Sequence, residues 1–304
     1  MDKIIRCITS DGAVMASAID ASDIVFKAQK IHGLSRSATA ALGRLLCATS
    51  MMGAMLKQKD ASINLRVSGD GGLGPVIAVA DSNGNVRGYV GNANCPTEYY
   101  NNGKINVSKA VGKNGVLNVM RDYGSGDPYI GQVELVSGEI AEDITNYFAT
   151  SEQIPTVCAL GVLINKEDGE VMLAGGLLIQ LLPGAFEDTI EKLEKNLETL
   201  EPVTTMLAKG MSILDICKTA LAGFEVEVLD EYPVKYVCTC SREKLERLFC
   251  TMSDEEIRDM PDENGRVVAN CHFCNKKYIF NKEDLEKIIK EKNSKDNNTE
   301  KKKS

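Results

Sequence analysis

Cys238-Thr239-Cys240, followed by Cys271-His272-Phe273-Cys274, is the stretch that decides how the C-terminal part of this chain folds. The two cysteine pairs are separated by 30 residues and together supply four thiolates. Four thiolates in two short chelating turns suit a tetrahedral Zn²⁺ ion. The sequence therefore predicts a zinc site made of Cys238, Cys240, Cys271 and Cys274.

The Cys-x-Cys half of this motif is unusual and leaves two interpretations open. Cysteines two apart on an extended strand share one face but hold their sulfurs well apart, so a common metal requires the chain to bend at Thr239. The same bend would bring the two Cα atoms within disulfide range. The four cysteines are thus either zinc ligands when reduced and paired disulfides when oxidised, or a structural zinc ribbon with no redox role.

Composition and charge fit a soluble cytoplasmic protein. The net charge of −8 and the pI of about 5.1 argue against a nucleic-acid surface spread over the whole protein. We find no signal-peptide apolar region at the N-terminus and no run of 18 apolar residues that would span a membrane. Ten cysteines in such a chain favour a reducing compartment. We interpret the singly scattered ones as buried, inert thiols, namely Cys7, Cys47, Cys95, Cys158 and Cys217.

Residues 1–183 are predicted to form a sheet-rich α/β domain around a buried helix. That helix spans Ser35 to Lys57, begins at Ser35 or Ser37, and is apolar nearly all round. A second helix is predicted from Ser137 to Gln153, with Ser137 as its candidate cap. The turn from Asp81 to Asn85, between two apolar runs, predicts a hairpin.

Residues 184–231 are predicted to form a helical linker. Apolar residues recur there at spacings of four and three, which indicates an amphipathic helix with a narrow seam of Phe186, Ile190, Leu193, Leu197 and Leu200. A second helix is predicted from Ser212 to Leu221. Such a pair is too small to stand alone, so it must lie on the sheet domain or on another subunit. It is either packed there permanently or is a releasable linker between the sheet domain and the cysteine module.

Residues 232–290 are predicted to form a small zinc-binding domain, followed by a disordered tail over 291–304. The domain has few apolar side chains for its length, and small domains of this kind often need a metal or a disulfide. A structural zinc ion supplies roughly 10–16 kcal/mol, so the domain should unfold when zinc leaves. The whole chain is therefore predicted to have an α+β fold in three parts and a tail.

Other residues near the predicted ligands have less specific predicted roles. Several cations flank the site and either stabilise an anionic zinc–thiolate centre or are ordinary solvated charges: Lys235, Arg242, Lys244, Lys276 and Lys277. We do not assign His272 as a ligand, because four sulfurs already fill a closed site. Cys250 is a fifth thiol that we expect to pack in a short helix capped by Ser241.

The order of these motifs resembles the redox-regulated heat-shock chaperones known as the 33 kDa chaperonin family, over nearly the whole chain. The most specific match is Cys-x-Cys-Ser-Arg-Glu-Lys from Cys238 to Lys244, followed by Cys-x-Phe-Cys-Asn from Cys271 to Asn275. Tyr278-x-Phe280 then completes the pattern. Upstream, Gly43-Arg44-Leu45-Leu46 also looks like the family's.

The resemblance implies an ATP-independent holdase rather than an enzyme, acting on unfolded client proteins under oxidative stress. It carries the family's zinc ligands over to Cys238, Cys240, Cys271 and Cys274. It also implies oxidised pairs of Cys238 with Cys240 and Cys271 with Cys274, with zinc release and a homodimer in the oxidised form. Cys250 is a departure from the family's pattern.

Two other function classes use similar motifs. A zinc-ribbon nucleic-acid-binding protein has paired cysteine knuckles, but the net charge and the lack of tryptophan argue against it. A thiol-disulfide oxidoreductase uses Cys-x-x-Cys, but here that motif lies far from any thioredoxin-like βαβ unit. The resemblance favours the chaperone.

Overall fold

The computed structural model describes residues 1–300, with side chains described as far as Asn293. The chain divides into two compact units, Met1–Val237 and Cys238–Ser304. In chain order, the first unit contains β1 (Lys3–Thr9), β2 (Val14–Asp20), α1 (Ser22–His32), α2 (Arg36–Ala54), β3 (Ser62–Ser68), β4 (Val76–Asp81), β5 (Val86–Val90), α3 (Val107–Val111), β6 (Val116–Asp122), β7 (Tyr129–Glu134), α4 (Ala141–Tyr147), β8 (Thr156–Ile164), β9 (Val171–Leu181), α5 (Glu187–Glu198), α6 (Val203–Ala208), α7 (Ile213–Ala220) and β10 (Val226–Pro233).

Two antiparallel five-stranded sheets form the frame of the first unit. The first sheet has the strand order β10-β1-β2-β9-β8, and the second has the order β5-β4-β3-β6-β7. The predicted hairpin is present between β4 and β5, where Gly84 adopts a φ of +76° and its amide donates to the Asp81 carbonyl. The predicted α+β class is confirmed, with sheets that are antiparallel throughout.

Helix α2 lies between the two sheets. It contacts β3, β4 and β5 of the second sheet as well as β2, β8 and β9 of the first. All of its residues are buried except Arg36 and Arg44, as its nearly uniform apolar sequence predicted. Ser35 is the N-cap and its side chain accepts a hydrogen bond from the Ala38 amide.

The predicted helix from Ser137 to Gln153 is shorter than expected and has a different start. Helix α4 begins at Ala141, and a π-helical turn follows it over Phe148–Glu152. The buried Asp143 carboxylate accepts hydrogen bonds from four upstream amides, those of Val136, Ser137, Gly138 and Ile140. These bonds hold 136–140 in a loop, so Ser137 does not cap the helix.

The linker helices α5, α6 and α7 cover the outer face of the first sheet, which is the face turned away from α2. Their buried side chains join those of the strands in one apolar cluster, which includes Leu193, Val203, Met206, Ile213, Ile216, Ile5, Val14, Leu177 and Ile179. Leu193 is 5% exposed, as the seam predicted, whereas Phe186 is 78% exposed and lies outside it. Since β10 follows α7 and pairs with β1, the chain re-enters the first sheet after the linker helices.

The segment before Cys238 also belongs to the first unit. The Val86 amide donates to the Lys235 carbonyl at 3.0 Å, and the Val237 amide donates to the Val86 carbonyl at 3.0 Å. The Tyr236 hydroxyl donates to the Gly88 carbonyl at 2.9 Å. Of residues 232–237, which the sequence placed in the zinc domain, 232–233 therefore end β10 and 235–237 run alongside β5. The division into domains at 183, 231 and 290 stays a prediction.

The second unit contains α8 (Arg242–Phe249), α9 (Asp254–Asp259), β11 (Arg266–Asn270), β12 (Lys277–Asn281) and α10 (Lys282–Glu300). A small core of eight buried side chains holds it together: Phe249, Ile257, Val267, Tyr278, Phe280, Leu285, Ile288 and Ile289. Phe249 and Phe280 meet edge to face with their ring centroids 5.0 Å apart. The predicted tail, 291–304, begins within α10, and its last four residues, 301–304, lie outside the described residues.

Candidate metal centre

The first cysteine pair lies in irregular chain immediately before α8. Cys238, Thr239 and Cys240 have no strand conformation, so the alternation that would separate their sulfurs does not apply. Ser241 follows directly and caps α8, because its side chain accepts a hydrogen bond from the Lys244 amide at 3.3 Å. The cap fixes the place where the helix starts and thus where Cys240 sits.

The second pair lies in the tight turn between β11 and β12. The Asn275 amide donates to the Cys271 carbonyl at 2.8 Å, and the Cys271 amide donates to the Lys276 carbonyl at 2.9 Å. Asn275 adopts a left-handed φ of +57°, which asparagine tolerates better than most residues. This turn directs Cys271 and Cys274 to the same side.

The four predicted sulfurs converge. All four Sγ atoms lie within 4.8 Å of one another, and all four side chains are half-buried. Two of the separations join the two motifs, with 3.6 Å between the Cys238 and Cys271 sulfurs and 3.4 Å between the Cys240 and Cys274 sulfurs. Zn–S bonds of about 2.3 Å in a tetrahedron place sulfurs about 3.8 Å apart, so this donor set fits a tetrahedral thiolate-bound ion.

The thiols of the cluster differ in acidity. Burial raises the pKa of Cys238 to about 12. Burial also acts to raise the pKa of Cys240, but hydrogen bonds from Tyr278 and the neighbouring thiols outweigh it and lower that pKa to about 7. Of these two thiols, Cys240 is the more readily present as thiolate, the form that binds metals and reacts with oxidants.

Tyr278 and Arg242 make contacts beside the site that the sequence did not predict. The Tyr278 hydroxyl donates to the Cys240 sulfur at 3.1 Å, and Lys276 lies over the Tyr278 ring. Arg242 pairs with Asp284 at 2.9 Å and lies over the Phe280 ring at 4.1 Å. Arg242 thus braces the fold of the unit, which favours the structural interpretation for this cation. The sequence signal that could have indicated Tyr278 is its position, an aromatic residue four places after Cys274.

The remaining candidate residues stay outside the cluster. His272 does not belong to the group of converging ligand atoms among the described residues. Cys250 ends α8 and packs against the small core, as expected. Cys7, Cys47, Cys95 and Cys217 are buried and Cys158 is half-buried. Over residues 1–300, no helix is both long enough and apolar enough to cross a bilayer.

Comparison with known proteins gives one consistent result. The family model described as Hsp33 protein matches residues 2–281. The 33 kDa chaperonin of Acetivibrio thermocellus is 46% identical over 289 residues, covering 95% of this chain and 97% of the relative. The 33 kDa chaperonin of Clostridioides difficile is 44% identical over 290 residues, covering 95% of this chain and 99% of the relative.

A solved structure agrees in fold as well as in sequence. The crystal structure of the 33 kDa chaperonin from Thermotoga maritima, a heat shock protein 33 homolog, superposes with a TM-score of 0.86 at 34% identity. The match covers 96% of this chain and 99% of that one. With a family match over nearly its whole length and a cluster of four thiols at the family's cysteine motif, the chain belongs to the Hsp33 family of chaperones.

Proposed function

We propose that this protein is a redox-regulated, ATP-independent holdase that binds unfolding client proteins in the cytoplasm under oxidative stress. The observation that carries the proposal is the convergence of Cys238, Cys240, Cys271 and Cys274 within 4.8 Å, in a chain of the Hsp33 family. Zn²⁺ bound to these sulfurs would keep all four deprotonated and link α8 to the β11–β12 turn. The zinc-bound, reduced form is the inactive one.

Oxidation removes the ligands. In each proposed pair, Cys238 with Cys240 and Cys271 with Cys274, two thiols lose two hydrogens and an S–S bond forms. One hydrogen peroxide molecule is reduced to two waters for each disulfide, and the sulfurs then no longer bind the metal.

Loss of the metal destabilises the second unit. Its core has eight buried side chains, and cores of this size rarely supply more than roughly 3–5 kcal/mol. Structural zinc contributes more than that, so metal release and unfolding of this unit are coupled. The small core and the four clustered thiols together fit a unit whose folding depends on its metal.

Client binding requires exposed apolar surface. The outer face of the first sheet is apolar and is covered by the linker helices, through Leu193, Val203 and Met206 among others. We propose that these helices loosen after oxidation and uncover that face, and that oxidised subunits pair as homodimers. Sedimentation of the reduced and oxidised forms tests whether oxidised subunits form homodimers.

Aggregation suppression tests the proposed function. Light scattering of a heat-denatured client is recorded with reduced, zinc-loaded protein and with protein treated with peroxide at mild heat, both without ATP. We expect suppression by the treated protein alone, reversed by thiol reductant. Equal activity of both forms would refute redox control, and inactivity of both would refute the holdase assignment. Insulin-reduction turnover by either form would indicate an oxidoreductase instead.

A further inference from the structure

Helix α5 is attached to the first unit less firmly than the two linker helices that follow it. Of its twelve residues, only Thr189 and Leu193 are buried. The helix makes its main contact with α7, whereas α6 packs on β8 and β9, and α7 packs on β1 and β2. The position of α5 therefore depends more on α7 and the chain next to it than on the strands of the sheet.

Helices α6 and α7 are fixed to the strands directly. A Cβ added at Gly161 on β8 would lie 2.7 Å from the Thr204 side chain, so α6 approaches this strand very closely. A Cβ added at Gly175 on β9 would lie 2.8 Å from the Leu207 side chain. Four of the eight residues of α7 are buried, in the apolar cluster shared with the first sheet. Apolar burial thus holds these two helices in place.

Asn196 of α5 is bonded to the turn at 220–224, which joins α7 to β10. Its side-chain amide donates to the Ala222 carbonyl at 2.9 Å and to the Ala220 carbonyl at 3.2 Å. Ala220 is the last residue of α7, and carbonyls in the last turn of a helix have no partner within the helix. Asn196 therefore supplies donors that the end of α7 needs.

Lys192 of α5 contacts the same turn one helical turn earlier. Its ammonium group donates to the Gly223 carbonyl and lies 4.3 Å from the centre of the Phe224 ring. A cation over an aromatic ring and near a helix C-terminus is stabilised by both. Because residues four apart lie on one face of a helix, Lys192 and Asn196 contact the turn together.

We infer that Lys192 and Asn196 are positioning residues that hold α5 closed on the turn at 220–224, and that α5 opens first while α6 and α7 remain on the sheet. Segments with few buried apolar contacts and exposed hydrogen bonds open at the lowest free energy. Opening uncovers the apolar side chains of α5 that belong to the cluster, which are Leu193, Leu197 and Leu200. These leucines and the surface beneath them give apolar client segments a first place to bind, a consequence that rests on the proposed function.

Hydrogen–deuterium exchange of the reduced, zinc-loaded, full-length protein tests the opening without reference to chaperone activity. Asn196→Asp keeps the shape of the side chain but removes its donors, and Lys192→Met keeps the apolar stem but removes the cation. In the double variant we expect amide exchange in α5 to be roughly tenfold faster, since several exposed hydrogen bonds are lost. Exchange in α6 and α7 should stay unchanged, which also shows that the variant is folded.

Two further variants control for the position and the charge. Lys195→Met removes an exposed cation of the same helix and should leave exchange in α5 unchanged. Lys192→Arg keeps a cationic donor and should stay close to the unmodified protein. Unchanged exchange in α5 of the double variant would overturn the inference. Equal acceleration in α5, α6 and α7 would also overturn it, because the three helices would then open as one body.

Light scattering of a heat-denatured client separates this inference from the proposed function. We expect the reduced double variant to suppress aggregation in part, and peroxide-treated unmodified protein to suppress it fully. Faster exchange in α5 with no suppression by the reduced variant would refute client binding at the opened helix and leave redox control intact. Failure of the peroxide-treated unmodified protein would instead refute the holdase, whereas the exchange data would still support the first opening of α5.

Discussion

The hydroxyl of Tyr278 donates a hydrogen bond to the sulfur of Cys240, with 3.1 Å between oxygen and sulfur. Tyr278 is on β12, directly after the turn that presents Cys271 and Cys274, so one strand orients two of the four sulfurs and contacts a third. A hydrogen bond to a thiolate stabilises its charge and makes it less nucleophilic. Tyr278 therefore links the fold of the second unit to the reactivity of the Cys240 thiol.

Replacing Tyr278 with phenylalanine should speed oxidative zinc loss. The change removes one hydrogen bond to a charged sulfur, worth roughly 1.5 kcal/mol, while the ring keeps its place in the core. We expect zinc release by peroxide to be up to about tenfold faster, measured with a chromogenic chelator under single-turnover conditions. Tyr123→Phe, at an exposed tyrosine, is the control. An unchanged rate would show that the hydroxyl does not protect Cys240.

Metal removal should unfold the second unit and leave the first intact. The reduced protein is stripped with a strong chelator and then digested with trypsin, while helix content is followed by circular dichroism. We expect rapid cleavage after Arg247 and Arg258, in α8 and α9, together with continued protection of the first unit. X-ray absorption of the metal-loaded form should show sulfur ligands only. A metal-free second unit that stays protease-resistant would contradict the coupling of metal binding and folding.

Charged substitutions in the linker seam should loosen the linker helices. Leu193 is almost fully buried in the apolar cluster that the linker helices share with the first sheet, and burying a leucine contributes roughly 1.5–3 kcal/mol. We expect Leu193→Glu with Leu197→Glu to hold clients while still reduced, as measured by light scattering. Phe186→Ser, at an exposed neighbour, should behave as the unmodified protein.

The activity of the Leu193/Leu197 variant can be interpreted only if its solubility and folding are known. Sedimentation and circular dichroism must show that the variant is soluble and folded. A soluble, folded variant that is inactive when reduced would refute control by the linker helices and leave the metal switch untouched. Aggregation of the variant alone would assign the seam to the permanent core and would equally count against releasable docking.

The stability of the first unit should carry a pH dependence from Asp2. Its carboxylate accepts hydrogen bonds from the Asp23 amide at 3.0 Å and the Ile24 amide at 2.6 Å, at the start of α1. Burial nevertheless raises the pKa of Asp2 to about 6. Between about pH 4 and pH 6 the folded state thus holds a proton on Asp2 that the unfolded chain has lost. The stability that this carboxyl contributes is fully present below pH 4 and is lost as pH rises through about 6.

Asp2→Asn removes that titration. We expect the free energy of unfolding of the unmodified protein to fall, relative to the variant, by no more than about 3 kcal/mol between pH 4 and pH 7. Urea denaturation across that range measures the difference, in which the contributions of all other groups cancel. Asp60→Asn, at an exposed carboxylate, is the control. A constant difference between the unmodified protein and Asp2→Asn would show that Asp2 titrates normally.

Much of the local structure was predictable because neighbouring residues specify it. Ser35 and the apolar run behind it predicted α2 and its burial, since no face of that helix is polar enough for water. The turn at Gly84, the position of the helix near Ser212 and the cap at Ser241 followed from the same kind of short-range pattern. The start of α4 was mispredicted because Asp143 binds amides that its sequence position does not reveal.

The sequence by itself determined the identity and grouping of the four ligand candidates, because two short turns with two thiols each are a local property. It also determined the family, through motifs spread along nearly the whole chain. Only the tertiary structure decided that the chain after the linker helices pairs with β1 as β10, and that Tyr278 reaches Cys240. Each of these is a contact between residues distant in sequence, which depends on how the strands pair and no local pattern encodes.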